Sequence, residues 1–183
     1  MYAAVAEVLD FFDTNRARLE EAVAAVPVDL HARRPGAEQW SVAEILAHLA
    51  IVERRVLQLL ISSIEAAASA GLAPEAETIL PVVPTVNVAR LVDRSRRVAT
   101  SEASMPPADA DARHAMRDLA ETRTELRRLL LEFAGRALST VVVPNPVLGP
   151  VNVYQSVVFL AAHEARHTQQ IHEARASLVP HAP

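Results

Sequence analysis

The chain has 183 residues and a mass of 19.8 kDa, with 51% hydrophobic and 22% charged residues, enough for one globular domain with its own core. A net charge of -4, a pI of about 6.0 and 4% aromatic residues oppose a nucleic-acid binder, which needs a basic groove or stacking platform. There is no cysteine and every one of the 18 basic residues is arginine, which excludes disulfides, thiolate ligands, cysteine nucleophiles, Schiff-base lysines and lysine-bearing phosphate loops.

The first expected element runs from Tyr2 to about Val26, where Val5, Val8, Phe12, Leu19, Val23 and Val26 recur at helical spacing. Glu7, Asp10 and Asp13 stand where a signal peptide has a basic lead, so none is expected and the cytoplasm is the default location. Pro27 and Pro35-Gly36 mark a connection. Ser41 with Glu44 three residues later is a capping box, so a second helix is expected from Ser41 to about Ala70. Its inward line reads Val42, Ile45, Leu49, Val52, Val56 and Leu59.

Residues 71–86 carry Gly71, Pro74, Pro81 and Pro84 and read as a crossing loop, and 87–101 as a short helix with Val88, Leu91, Val92 and Val98. After Pro106-Pro107, Asp109 or Asp111 caps a third long helix, with Ala112, Met116, Leu119, Leu126, Leu130 and Phe133 inward and Gly135 as its C-terminal stop. A loop with Pro144, Pro146, Gly149 and Pro150 follows, in which β-branched Val141–Val143 suits an extended piece. The last helix is expected from about Asn152 to Leu178, with Val153, Val157, Leu160, Ile171 and Ala174 inward. Four long amphipathic helices imply an all-α four-helix bundle, a single domain over 1–183, and the long gap between the second and third allows a crossover connection. No run of about 18 uncharged apolar residues exists to span a membrane.

The chemistry concentrates in the histidines. His163 and His167 are one turn apart on the last helix and continue its inward line, so both imidazoles can reach one ion. His48 lies between Ile45 and Val52 beside the same core. If the second and last helices are neighbours, three neutral nitrogens converge and leave one position of a tetrahedral ion open. Zinc suits such a set, and nickel, cobalt, iron or copper would also fit it. The plainer alternative is that the histidines are hydrogen-bonded core residues, or that a His-x-x-x-His pair has arisen by chance on a wet face.

Trp40-Ser41-Val42-Ala43-Glu44-Ile45-Leu46-Ala47-His48-Leu49 resembles the first motif of the DinB-like (DinB/YfiT-like) family, and His163-Glu164-Ala165-Arg166-His167-Thr168-Gln169-Gln170-Ile171 resembles its second, His-x-x-x-His-x-x-Gln-Ile. The Pro144–Pro150 loop with Gly149 is also placed as in that family. The resemblance implies a four-helix bundle with crossover connections and a divalent metal, zinc first and nickel or another first-row ion next, held by His48, His163 and His167. It also implies a metal-dependent S-transferase or isomerase using a low-molecular-weight thiol as cosubstrate on a small-molecule substrate, and a homodimer. A hydrolase on the same site and a non-catalytic, dimerising, stress-related metal-binding bundle are the other readings. No catalytic residue beyond the ligands is assigned.

Other residues carry weaker expectations. Glu44, one turn before His48, is read as capping-box glutamate before orienting partner; Gln170 as pocket lining; Trp40 and Tyr154 as core before pocket mouth. Arg90, Arg94, Arg96 and Arg97 could receive an anion, but are read as a solvated face paired with Asp93 and Glu102, and Arg127-Arg128 likewise. His172 falls off the inward line; His31, His114 and His181 receive no role. Ser41 and Ser156 form no nucleophile triad. Leu57, Leu59, Leu60 and Ile61 exceed one stripe, which favours a dimer partner.

Overall fold

In the computed structural model, residues 2–76, 80–96 and 98–179 are described; Arg97 and His181 lie outside them. The long helices are α1 (Ala3–Ala24), α2 (Val42–Ser69), α4 (Ala112–Glu132) and α5 (Val153–Leu178), with a short α3 (Val88–Val92) in the crossover. A two-stranded antiparallel hairpin, β1 (Val142–Asn145) and β2 (Gly149–Asn152), precedes α5, with Val142 opposite Asn152 and Asn145 opposite Gly149.

Local chemistry fixes the helix starts. The Ser41 hydroxyl accepts from the Glu44 backbone N–H at 3.2 Å while the Glu44 carboxylate takes the Ser41 N–H at 2.9 Å. Asp111, the second of the two expected caps, accepts from the His114 N–H at 2.7 Å and starts α4. Asn152 and Gln155 form a second capping box at α5.

Two apolar clusters fill the bundle. One gathers Val5, Phe12, Leu57, Leu126, Leu130, Val157 and Leu160; the other gathers Leu19, Val23, Ile45, Leu49, Leu119 and Ile171. The first therefore takes the beginnings of α1 and α5 with the ends of α2 and α4, so α1 and α5 run parallel to each other and opposite to α2 and α4. Parallel α2 and α4 need the long connection between them, which is the crossover the sequence allowed. α1 packs along α5 and α2 along α4, and α2 also touches α5.

The inward lines of α1, α4 and α5 are as expected, with Met116 and Phe133 half-buried. The line on α2 differs. Val52 and Val56 are half-buried and Leu59 is exposed, while Leu46, Leu49, Glu53, Leu57, Leu60 and Ile64 are buried. The true stripe carries a glutamate at its centre, so a purely apolar trace drifts off it. Of the four residues expected to meet a partner, Leu57 and Leu60 face the core and Ile61 is half-buried against it, leaving Leu59 exposed. The expected helix over 87–101 stops at Val92: Asp93 Oδ1 accepts from the Ser95 N–H at 2.9 Å, a local turn that competes with the helix, and Val98 is exposed.

The crossing segment is pinned where its structure is described. The Glu75 carboxylate accepts from the Ser139 N–H and hydroxyl and from the Tyr154 hydroxyl, the last at 3.0 Å. Tyr154 is thus a buried core residue at the end away from the histidines, and burial pushes its phenol up.

Gly135 ends α4 at φ +85, a left-handed conformation that side chains with a Cβ rarely adopt. A Cβ there would meet the Tyr2 ring end at 2.4 Å, which Tyr2, near the start of the chain and exposed, can vacate. Gly135→Ala is expected to destabilise the fold by about 1–2 kcal/mol through the backbone alone, read as a lower urea midpoint at unchanged slope.

Candidate metal centre

α2 supplies His48 and antiparallel α5 supplies His163 and His167 to one point. The Nε2 of His163 lies 3.3 Å from that of His48 and 3.1 Å from that of His167. One ligand atom from each ring lies within 4.8 Å of the others, so the cluster could hold a metal ion. His48 and His167 are buried and His163 is partly exposed.

Two rings are fixed from behind. His48 Nδ1 is 2.7 Å from the Ser104 carbonyl oxygen and His167 Nδ1 is 2.8 Å from Gln170 Oε1. Both partners are acceptors, so both Nδ1 atoms carry the proton and both Nε2 atoms are bare lone pairs. Those lone pairs face His163 Nε2, which can donate one proton to one of them and no more. His163 Nδ1 is itself buried without a partner. No protonation of three neutral rings satisfies this centre, whereas a cation at the meeting point would satisfy all three Nε2 atoms.

Aromatic rings wall the site. Trp40 stacks on His167 with centroids 6.4 Å apart and lies 5.0 Å from His48, and Phe159 stacks on His163 at 5.8 Å. Trp40 is therefore part of the site wall. The described parts of the segment after α3, residues 93–96 and 98–104, form a strap tied to the two histidine-bearing helices. Arg166, between the two α5 histidines, donates to the carbonyls of Leu91, Asp93 and Arg96, the last at 2.7 Å, while His48 holds Ser104 and Arg55 holds the Ala103 carbonyl at 2.8 Å. Two surface hollows of about 580 and 620 Å³ lie elsewhere, one beside His31 and Met116 and one between α2 and α4, and neither is lined by these histidines.

The remaining expectations sort by geometry. Glu44 serves the capping box and pairs with Arg34; burial works against its charge, but Arg34 and Ser41 together hold its carboxyl below the usual range. Gln170 orients His167, a closer part in the site than pocket lining. Arg94 pairs with Glu173 at 2.7 Å and not with Asp93 or Glu102, because the turn at Asp93 swings it toward α5. Arg127 pairs with Asp13 and Arg128 with Glu132. His172 is exposed, His31 meets the Val26 carbonyl and His114 lies 3.4 Å from Asp118.

Sequence reasoning missed three groups. Ser104 and Arg166 act through backbone contacts that no side-chain pattern announces. A buried ionic layer of Arg16, Glu53 and Glu164 sits beside the centre. Glu53 was detectable, because Leu46, Leu49, Leu57, Leu60 and Ile64 form a helical line with Glu53 at its gap.

Burial pushes all three histidines toward the neutral form, and the neighbouring rings add to it for His163, held down to about 3, and for His167. A folded pKa below the unfolded value of about 6.5 means the contribution is complete above pH 6.5 and is lost as pH falls toward 3. Metal-stripped protein should therefore lose melting temperature from pH 6.5 to 4, with a shallower slope in His163→Leu; equal slopes would contradict buried neutral imidazoles.

With this geometry in hand, a family model described as the DinB superfamily matches residues 12–171. Among curated proteins and among solved structures, none matches the chain. The match spans α1 to α5 and contains both histidine motifs, and the chain belongs to the DinB superfamily.

Proposed function

We propose that this protein binds one divalent metal through the Nε2 atoms of His48, His163 and His167 and acts as a metal-dependent enzyme on a small molecule. The observation that carries the metal reading is the convergence of three Nε2 atoms, two made bare by hydrogen bonds at the opposite nitrogen. Three nitrogen ligands suit zinc first, with nickel or another first-row ion next. Bound there, the ion would supply a Lewis acid that lowers the pKa of a thiol or water at its open position.

The chain's own residues do the rest. Ser104 and Gln170 fix the tautomer and tilt of two rings, Trp40 and Phe159 keep water from their flanks, and Arg166 pins the strap above. With no cysteine in the chain, a thiol taking part in the reaction comes as cosubstrate. Together with the family, this supports a low-molecular-weight-thiol S-transferase or isomerase; hydrolysis is the other enzymatic use. A second reading, a non-catalytic, dimerising, stress-related metal-binding bundle, draws on the Trp40 ring packed against His48 and His167. The proposal includes a single domain over 1–183, cytoplasmic, homodimeric and without nucleic-acid or membrane partners. Among the described residues, no helix is long and apolar enough to cross a membrane.

Elemental mass spectrometry of untagged protein should find near-stoichiometric metal, lost in a His48→Ala, His163→Ala, His167→Ala variant. Wild type that refuses added zinc and nickel would overturn the proposal. Turnover of a thiol with a halide, epoxide or activated alkene by the loaded protein selects the thiol-transfer reading, ester or amide hydrolysis selects the hydrolase, and a loaded protein that does neither selects the second.

Gln170→Ala removes the group that orients His167 and should weaken zinc affinity about tenfold, with little change in melting temperature of the metal-free protein. Competition against a zinc chelator reads this directly.

A further inference from the structure

Between the two apolar clusters the core is interrupted by one polar layer. Arg16 lies between Phe12 and Leu19 on α1, Glu53 between Leu49 and Leu57 on α2, Thr122 and Arg123 between Leu119 and Leu126 on α4, and Glu164 before Ile171 on α5. Glu53 and Glu164 are wholly buried and Arg16 nearly so. Arg16 Nε donates to Glu164 Oε1 at 2.6 Å, and Arg16 Nη2 donates to both Glu53 oxygens at 3.1 and 3.2 Å. Arg123 lies 3.6 Å from the remaining Glu164 oxygen and is otherwise held by Asp13.

Charges this deep are poor value as stabilisers, since apolar residues of similar volume generally hold a core as well or better. What a forked guanidinium does that apolar side chains do not is fix two carboxylates in direction and register. Its two carboxylates sit on the two histidine-bearing helices: Glu164 follows His163 directly, and Glu53 follows His48 by five residues. We propose that Arg16 is a positioning residue for the histidine centre. By gripping Glu53 on α2 and Glu164 on α5 with one fork, it sets the depth and register at which His48 meets His163 and His167. α1 thus takes part in the site without touching it.

The inference rests on the metal reading above, and its test separates the two. One variant, Arg16→Met with Glu53→Leu and Glu164→Met, removes the charges together and leaves no lone ion in the core. Arg123 keeps Asp13 in it. A second, Arg16→Lys, keeps the charge and loses the fork. Each is compared with wild type by melting temperature, by cobalt(II) titration with the d–d absorption band, and by ring-nitrogen NMR of the metal-free protein. Expected are folded variants whose cobalt affinity falls about tenfold or more, with a shifted band and with His48 and His167 no longer held in the Nδ1–H form. Should the triple variant not fold, Arg16→Lys carries the test through the same measurements. Variants that fold with wild-type affinity, band and tautomers would overturn the inference. A wild type that binds no cobalt sinks the metal reading, while the tautomers of the metal-free proteins still decide whether Arg16 positions the rings.

Discussion

Arg16 is a charged group in the middle of a helical core, and the surrounding layout follows from having to satisfy it. Removing an ion from water costs several kcal/mol, so its carboxylate partners must come to it. They come from α2 and α5, and Arg123 of α4 closes the layer with Asp13 of α1. The apolar core is split in two by this layer, and each half is sealed by helix ends of defined direction. A helix slipped by one turn would leave a buried carboxylate facing apolar carbon.

The histidine centre shows the same logic in neutral form. Three imidazoles held without charge need acceptors behind them, and Ser104 and Gln170 provide two. The third, His163, faces two bare Nε2 atoms and can donate to only one of them, so the centre is left one interaction short. This unmet demand, and not the count of histidines, is what supports the proposed metal site over histidines that merely complete a core. Of the other described histidines, His31 and His114 are answered locally and His172 faces solvent.

Much of the architecture was legible in the chain. Ser41-x-x-Glu44 placed the start of α2, Asp109 or Asp111 that of α4, where Asp111 is the cap, and the period of Val153, Val157 and Leu160 put His163 and His167 on the inner face of α5. These are local rules, acting within one or two turns. The reading failed where distant groups won. On α2 an apolar line through Val52, Val56 and Leu59 departs from the buried stripe, because a guanidinium 37 residues away in sequence makes Glu53 an interior residue. At Asp93 the expected helix gave way to a turn whose carbonyls are taken by Arg166, 73 residues further on.

Neighbouring residues alone set the four long helices, the capping box of α2, the stop at Gly135, the inner faces of α1, α4 and α5, and the pairing of His163 with His167, because spacing and capping are local properties. That α2 and α5 run antiparallel and adjacent, so that His48 joins the pair, came from the packing of the helices. Packing also tied the carbonyls of Asp93 and Arg96 to Arg166 and that of Ser104 to His48, and joined Arg16, Glu53 and Glu164 in one buried layer. Those outcomes depend on where separate helices come to rest, and the electrostatic demands of buried groups meet only once the chain has folded.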